Sequence, residues 1–221
     1  MSNLYIVATP IGNLEDITLR ALRVLKEVDA ILCEDTRQTK KLLDKYAVGT
    51  RMISYHQHSK LEKIETIAGL LKENKNLALV SDAGTPGISD PGNKLVEYLV
   101  KSGIDIKVVP IPGPSGVAAA LSVCGFSADE FVFLGFVPHK KGRQTFFKNI
   151  SREERTSIFY ESPHRIIKTL NSLAEFAPQK EIAVCRELTK IYETIYRGKA
   201  EDILKKITPE EVRGEFIVVV R

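Results

Sequence analysis

The 221-residue sequence predicts two α/β domains, a parallel five-stranded N-terminal sheet followed by a mixed C-terminal sheet. Three observations predict it. Short continuous apolar runs alternate with helical patterns through the first half, as in a parallel sheet covered on both faces. Three of these runs end in loops dense in Gly, Pro and small polar residues, which is how α/β proteins build ligand sites at the carboxyl ends of strands. In the second half, runs at 181–187 and 191–197 follow each other with no room for a crossover helix. They are antiparallel or lie apart, so that sheet is mixed.

The elements read in order. First-half strands fall at 4–8, 30–33, 52–55, 77–80 and 106–110, with helices near 18–27, 37–45, 60–73 and 91–102. In the third helix Ile64, Ile67, Leu70 and Leu71 form one apolar stripe. Pro91 is expected to open the fourth helix and Asp90 to cap it. A junction at 113–115 divides the chain into domains 1–113 and 114–221, with a helix near 115–123. Second-half strands then read at 131–136, 156–160, 181–187, 191–197 and 215–220, and helices near 142–150, 163–175 and 200–207.

Hydrophobic content of 43% and charged content of 27% are ordinary for a globular protein. No apolar run reaches the ~18 residues of a membrane span. The first residues enter a strand at once, which argues against a signal peptide. Cys33, Cys124 and Cys185 are odd in number and far apart, fitting buried thiols in a reducing cytoplasm better than a disulfide frame or a zinc site. His56 and His58 form an HxH pair with no obvious further ligand, so no metal is expected. A net charge of +4 carries little weight for an anionic partner.

The richest loop, VSDAGTPGISDPG at 80–92, holds two carboxylates and no Lys or Arg before Lys94. Neither GxxxxGK[ST] nor GxGxxG occurs anywhere. Asp82 and Asp90 would repel a pyrophosphate but suit hydroxyls, an amino group or a cationic centre. S-adenosylmethionine offers all three: ribose hydroxyls, an ammonium and a sulfonium. Asp82, directly after the strand end, reads as a ligand contact. At the end of the second strand, Glu34, Asp35, Thr36 and Arg37 should face the same rim. There Arg37 can hold an anion, and an acid can orient or deprotonate a hydroxyl. The alternative is an Asp35 cap with an Arg37 surface ion pair.

The segments ATPIGNLEDITLRAL, CEDTRQTKKLL, SDAGTPGISDPG, PIPGPSG, FYESPHRI and CRELTKIYE span nearly the whole chain. Together they resemble the tetrapyrrole methylase family, and one branch of it that methylates a ribose 2′-hydroxyl of a cytidine in 16S ribosomal RNA. The resemblance implies S-adenosylmethionine as cofactor, held in the cleft between the domains, and a homodimer. By position it implies cofactor contacts from Ile11, Asp82, Thr85, Ser115 and Gly116, and from Tyr160, Cys185 and Gly214 of the second domain. Branch members commonly continue past the final strand with a further segment, whereas this chain stops at Arg221.

An RNA substrate gives meaning to other residues. Glu34, Asp35, Arg37 and Glu187 are candidate catalytic groups. The densest basic segment, His139-Lys140-Lys141-Gly142-Arg143 with Lys148, Arg152 and Arg155 beyond it, reads as phosphate-contacting, against a merely solvated surface. Phe146 and Phe147 read as core. His164 and Arg165 read as RNA contacts or as polar residues of a helix start, and Arg37 as a further RNA contact. Two other readings compete: a small-molecule tetrapyrrole C-methyltransferase, which the CEDTR and ESPHR segments and the basic loop oppose, and a non-catalytic RNA-binding assembly factor, which the intact loop set opposes.

Overall fold

The computed structural model describes residues 1–56 and 59–221 and divides into two compact units, Met1–Ser115 and Gly116–Arg221. In the first unit, strands β1 (Ser2–Val7), β2 (Ala30–Cys33), β3 (Met52–Ser54), β4 (Leu77–Leu79) and β5 (Ile106–Ile111) form one sheet in the order β3-β2-β4-β1-β5. Every pairing is parallel. Helices α1 (Leu19–Glu27) and α2 (Thr36–Lys45) bury Val24, Leu25, Leu42 and Leu43 with Val7, Ile31 and Ala78 of one sheet face. Helices α3 (Leu61–Lys72) and α4 (Asn93–Lys101) bury Ile64, Ile67, Leu95 and Leu99 with Leu4, Leu32 and Leu79 of the other. Two covered faces explain why the inner strands β2 and β4 are wholly apolar rather than alternating.

Side chains set the helix starts. The Ala21 N–H donates to Thr18 Oγ1 at 3.0 Å, capping α1, and the Arg37 N–H donates to Asp35 Oδ1 at 2.8 Å, capping α2. The start of α4 differs from the expectation. It begins at Asn93, two residues after Pro91, and its N-cap is Gly92 rather than Asp90. The turn before it has Ser89 at φ +60° and Gly92 at φ +145°, so Asp90 turns back to hydrogen-bond Ser81. A Cβ on Gly92 would lie 3.0 Å from Leu79 Cδ2, which leaves glycine as the residue that fits there.

In the second unit, β6 (Phe131–Phe136), β7 (Thr156–Glu161), β8 (Ile182–Arg186), β9 (Thr194–Gly198) and β10 (Phe216–Val220) run in the order β6-β7-β10-β8-β9. Only β6 and β7 are parallel; the other three pairings are antiparallel, giving the mixed sheet. Helices α6 (Arg143–Arg152), α7 (Pro163–Phe176) and α8 (Ala200–Lys206) cover one face around Phe147, Phe159, Leu170, Ile203 and Phe216. Helix α5 (Gly116–Cys124) packs on the opposite face against β10. Phe147 is fully buried and Phe146 packs on the same cluster. β9 begins at Thr194, not 191, because Glu187 and Thr189 take left-handed backbone at φ +51° and +65° and lift residues 187–193 off the sheet. Among the described residues no helix is long and apolar enough to cross a membrane.

Replacing Gly92 by Ala forces a side chain into that positive-φ turn and against Leu79. Urea unfolding is expected to register a loss of about 1–3 kcal/mol.

Candidate functional site

The loops after β1, β2, β4 and β5 share one edge of the first unit. Two of them are tied by a reciprocal pair: Thr9 N–H donates to Gly84 O at 2.9 Å, and Gly84 N–H donates to Thr9 O at 3.0 Å. Thr9 Oγ1 also donates to Ser81 O at 3.1 Å. Thr85 Oγ1 draws in the loop after β5 by donating to Pro114 O at 3.2 Å. Space around Gly84 is bounded by Ile11 Cγ2 and Pro114 O, 3.4 and 3.8 Å from where a Cβ would stand. Ile11, Thr85 and the segment leading into Ser115 thus converge on one spot. Thr9 and Ser81, which carry this arrangement, were not singled out from the sequence; the signal was a Thr directly after the first strand.

The loop after β2 joins through Asp82, whose Oδ1 accepts the Asp35 N–H at 3.1 Å. Burial first, and then the charges of Glu34 and Asp82, raise the Asp90 carboxyl to about 6 against the lowering hydrogen bond with Ser81. Four acids therefore crowd this edge. Hydrogen bonds from the Arg37 side chain and backbone hold the Asp35 carboxyl down at about 2. Arg37 Nη2 lies 2.7 Å from Asp35 Oδ2, with the Arg37 side chain 88% exposed. The cap with a surface ion pair is thus the geometry observed. Cys33, buried beneath this rim, has its thiol raised by burial, with Asp82 and Asp35 adding to the effect. The edge offers carboxylates and backbone groups, and residues 81–93 contribute no cation. That donor set fits a ligand carrying hydroxyls, an ammonium and a sulfonium, and it opposes a phosphate.

In the second unit the ESPHR segment forms a buried charge hub that sequence reading missed. The Glu161 side chain has no exposure; its Oε1 lies 2.7 Å from Arg165 Nη2 and its Oε2 3.8 Å from Arg143 Nη1. Ser162 N–H donates to Oε1 at 2.7 Å and Thr169 Oγ1 to Oε2 at 2.6 Å. Arg165 Nη1 also donates to Val137 O at 2.8 Å, and Arg143 Nη2 to Thr169 Oγ1 at 2.9 Å. Two expected RNA contacts are corrected here. Arg143 is buried and stacks its guanidinium 5.0 Å from the Phe147 ring centre; Arg165 is mostly buried against Glu161. These arginines instead pin the two ends of the loop 137–143, which leaves Lys140 and Lys141 exposed between them. His164 is exposed at the second position of α7. The one signal of such a hub in the sequence is the i+4 relation of Glu161 to Arg165; Arg143 arrives from another helix.

Other expected residues separate into two groups. Gly116 and Tyr160 meet: a Cβ on Gly116 would lie 2.8 Å from Ile217 Cδ1 and 3.6 Å from the Tyr160 hydroxyl. Cys185 pairs in register with that same Ile217, but it is fully buried and burial pushes its thiol up to about 12. With the side chain enclosed, a cofactor contact at this position would run through its backbone. Gly214 stands at the sheet edge instead, where a Cβ would come within 2.3 Å of Glu187 Cδ. Glu187 accepts from Lys190 Nζ and from the Glu215 N–H, both at 2.9 Å. Burial alone would raise its carboxyl, but these hydrogen bonds outweigh burial and hold it below the ordinary range. Of the HxH pair, His58 lies outside the described residues. Among the described residues no group of three or more His, Cys, Asp or Glu is placed to hold a metal ion.

Residues 3–204 match the family model for Tetrapyrrole (Corrin/Porphyrin) Methylases. The ribosomal RNA small subunit methyltransferase I of Thermotoga maritima is 44% identical over 219 residues, 99% of this chain and 98% of that protein. Its namesake in Bacillus subtilis is 46% identical over 221 residues, 100% of this chain and 75% of that protein. A cobalt precorrin-4 methyltransferase of cobalamin biosynthesis shares the fold at TM-score 0.73 and 19% identity, over 99% of this chain and 94% of its own. Diphthine synthase does so at TM-score 0.71 and 14% identity, over 100% and 90%.

Glu161→Gln leaves two buried guanidinium groups without their counter-charge, and urea unfolding is expected to show a loss of about 3 kcal/mol. Asp90 acts through pH. Its folded value lies above the unfolded one, so its contribution is fully present below pH ~4 and is lost as pH rises through about 6. Asp90→Asn should therefore gain on the wild type between pH 4 and pH 7, by about 1 kcal/mol once solvent screening of a half-buried group is allowed for.

Proposed function

Because the chain belongs to the tetrapyrrole methylase family, we propose that it methylates a ribose 2′-hydroxyl of a cytidine in the 16S ribosomal RNA of the small subunit, using S-adenosylmethionine. The observation that carries this reading is identity of 44% and 46% to two proteins named for ribosomal RNA small subunit methylation, over 99% and 100% of the chain. The acidic, cation-poor edge of the first unit supports the cofactor, and the exposed Lys140 and Lys141 support the polyanionic substrate.

S-adenosylmethionine supplies an electrophilic methyl group on a sulfonium. Ile11, Thr85 and Ser115 would hold it through the backbone and apolar surface around Gly84, and Asp82 through its carboxylate. Gly116, Tyr160 and Gly214 are assigned to the same ligand by resemblance of position. Methyl transfer to a hydroxyl depends chiefly on alignment, and help from a base is a smaller contribution. Glu34, Asp35 and Glu187 are the candidate acids to receive the hydroxyl proton: Asp35 pairs with Arg37, Glu187 with Lys190, and Glu34 lies on the same rim as Asp82 and Asp90. Arg37, largely exposed, steadies a backbone phosphate, while Lys140, Lys141 and His164 contact RNA from the second unit. The enzyme acts in the cytoplasm, where its substrate is made, and as a homodimer.

Incubation with methyl-labelled S-adenosylmethionine, in parallel with undermethylated small ribosomal subunits and with a porphyrinogen, tests the reading. Label in a cytidine ribose of 16S RNA is expected; label in the macrocycle alone would sink it. Asp82→Ala should weaken cofactor binding about tenfold in calorimetry, the cost of one charge-assisted hydrogen bond. Arg37→Ala should spare that binding and lower the transfer rate.

A further inference from the structure

Residues 187–193, between β8 and β9, hold two large apolar side chains out in solvent: Ile191 is 94% exposed and Tyr192 71%. The loop that carries them is built rather than loose. Glu187 and Thr189 sit at positive φ, a conformation that a β-branched residue such as Thr189 adopts only where the surroundings impose it. Those surroundings are visible. Lys190 N–H donates to Glu187 O at 3.0 Å and Glu193 N–H to Lys190 O at 3.1 Å. Glu193 Oε2 accepts the Thr189 N–H at 2.7 Å. The buried Arg186 donates to Tyr192 O at 3.0 Å and to Arg213 O at 3.2 Å, fastening the tip to the chain that enters β10. Lys190 Nζ is shared by Glu187 at 2.9 Å and Glu215 at 3.0 Å.

The chemistry of the tip narrows its partner. Lys190 is neutralised twice over, so this is no phosphate contact. Two side chains cover at most a few hundred Å², well short of the roughly 800 Å² per partner of a stable protein interface. A rigid tyrosine ring flanked by an aliphatic side chain and by carboxylates suits the flat face of one nucleobase, with acceptors for an exocyclic amino group. Position agrees. Phe216 of β10 pairs with Glu161 at the end of β7 and with Arg186 at the end of β8, and β6 runs parallel to β7. The tip therefore rises from the same sheet edge as Lys140 and Lys141, about three strand spacings away, roughly 14 Å. A short single strand can lay its phosphates on the lysines and a base on the tyrosine.

We propose that Tyr192 is the stacking platform for an unstacked base of the RNA substrate, a role that rests on the RNA reading above. The test compares Tyr192→Ala and Tyr192→Phe with the wild type. The first readout is KM for undermethylated small subunits. The second is fluorescence quenching of a single-stranded RNA carrying a pyrrolocytidine. Tyr192→Ala should raise KM about 5- to 100-fold, the range of one base–aromatic stack, and abolish quenching, with S-adenosylmethionine affinity unchanged in calorimetry; Tyr192→Phe should behave as wild type. Equal KM and quenching in Tyr192→Ala overturns the proposal, as does a change in its sedimentation, which would make the tip a contact between copies of this chain. Tyr192-dependent quenching without methyl transfer to RNA would uphold the platform and overturn the proposed reaction instead. A wild type that binds no RNA overturns both.

Discussion

The first unit's candidate site depends on one reciprocal pair of backbone hydrogen bonds, between Thr9 and Gly84. Loops at the ends of parallel strands have no ladder to continue, and their polar groups must find partners elsewhere. Here two loops satisfy each other in a single isolated bridge. Once that bridge forms, Thr9 Oγ1 reaches Ser81, Ile11 comes to bound the space around Gly84, and Thr85 can reach Pro114. Asp82 is left at the rim to hold the backbone of the loop after β2. The bridge thus converts four separate strand ends into one surface of fixed shape, the condition for positioning a flexible ligand.

The second unit solves a different problem, presenting positive charge without scattering it. Glu161 gathers Arg143 and Arg165 inside, and the two arginines fix the ends of a short loop whose lysines face solvent. Charge that looks uniform in the sequence is divided by the fold into cations that build the loop and cations that it displays. A guanidinium suits the first task because its several donors can satisfy a carboxylate, a hydroxyl and a carbonyl together.

Most of the architecture was legible in the sequence for reasons of burial. β2 and β4 are apolar throughout because helices cover both faces, and the tight succession of β8 and β9 left only an antiparallel or separate placement. The site was legible where backbone chemistry is written in residue type, as in the glycines and prolines of 80–92. It was not legible where a side chain's partner comes from a distant segment. Asp90 reads as a helix cap next to Pro91, yet the turn at Ser89 and Gly92 aims it at Ser81. Arg143 reads as one of a basic cluster, yet Glu161 and Thr169, from later elements, draw it inside. Cys185 matches a family position, but register beside Ile217 encloses it. Charge and motif identify residue types; only tertiary pairing decides which way each one points.

The strand orders carry a consequence for how the chain is made. β1 is made before the other strands of its sheet but occupies an inner place, between β4 and β5. β10 is made after the other strands of its sheet and is likewise an inner strand, between β7 and β8. Neither sheet can therefore grow outward in order of synthesis. The first keeps one edge of β1 unpaired until residues 106–111 have emerged; the second joins β7 to β8 only through residues 216–220. Such non-local closure slows folding and leaves strand edges uncovered during translation.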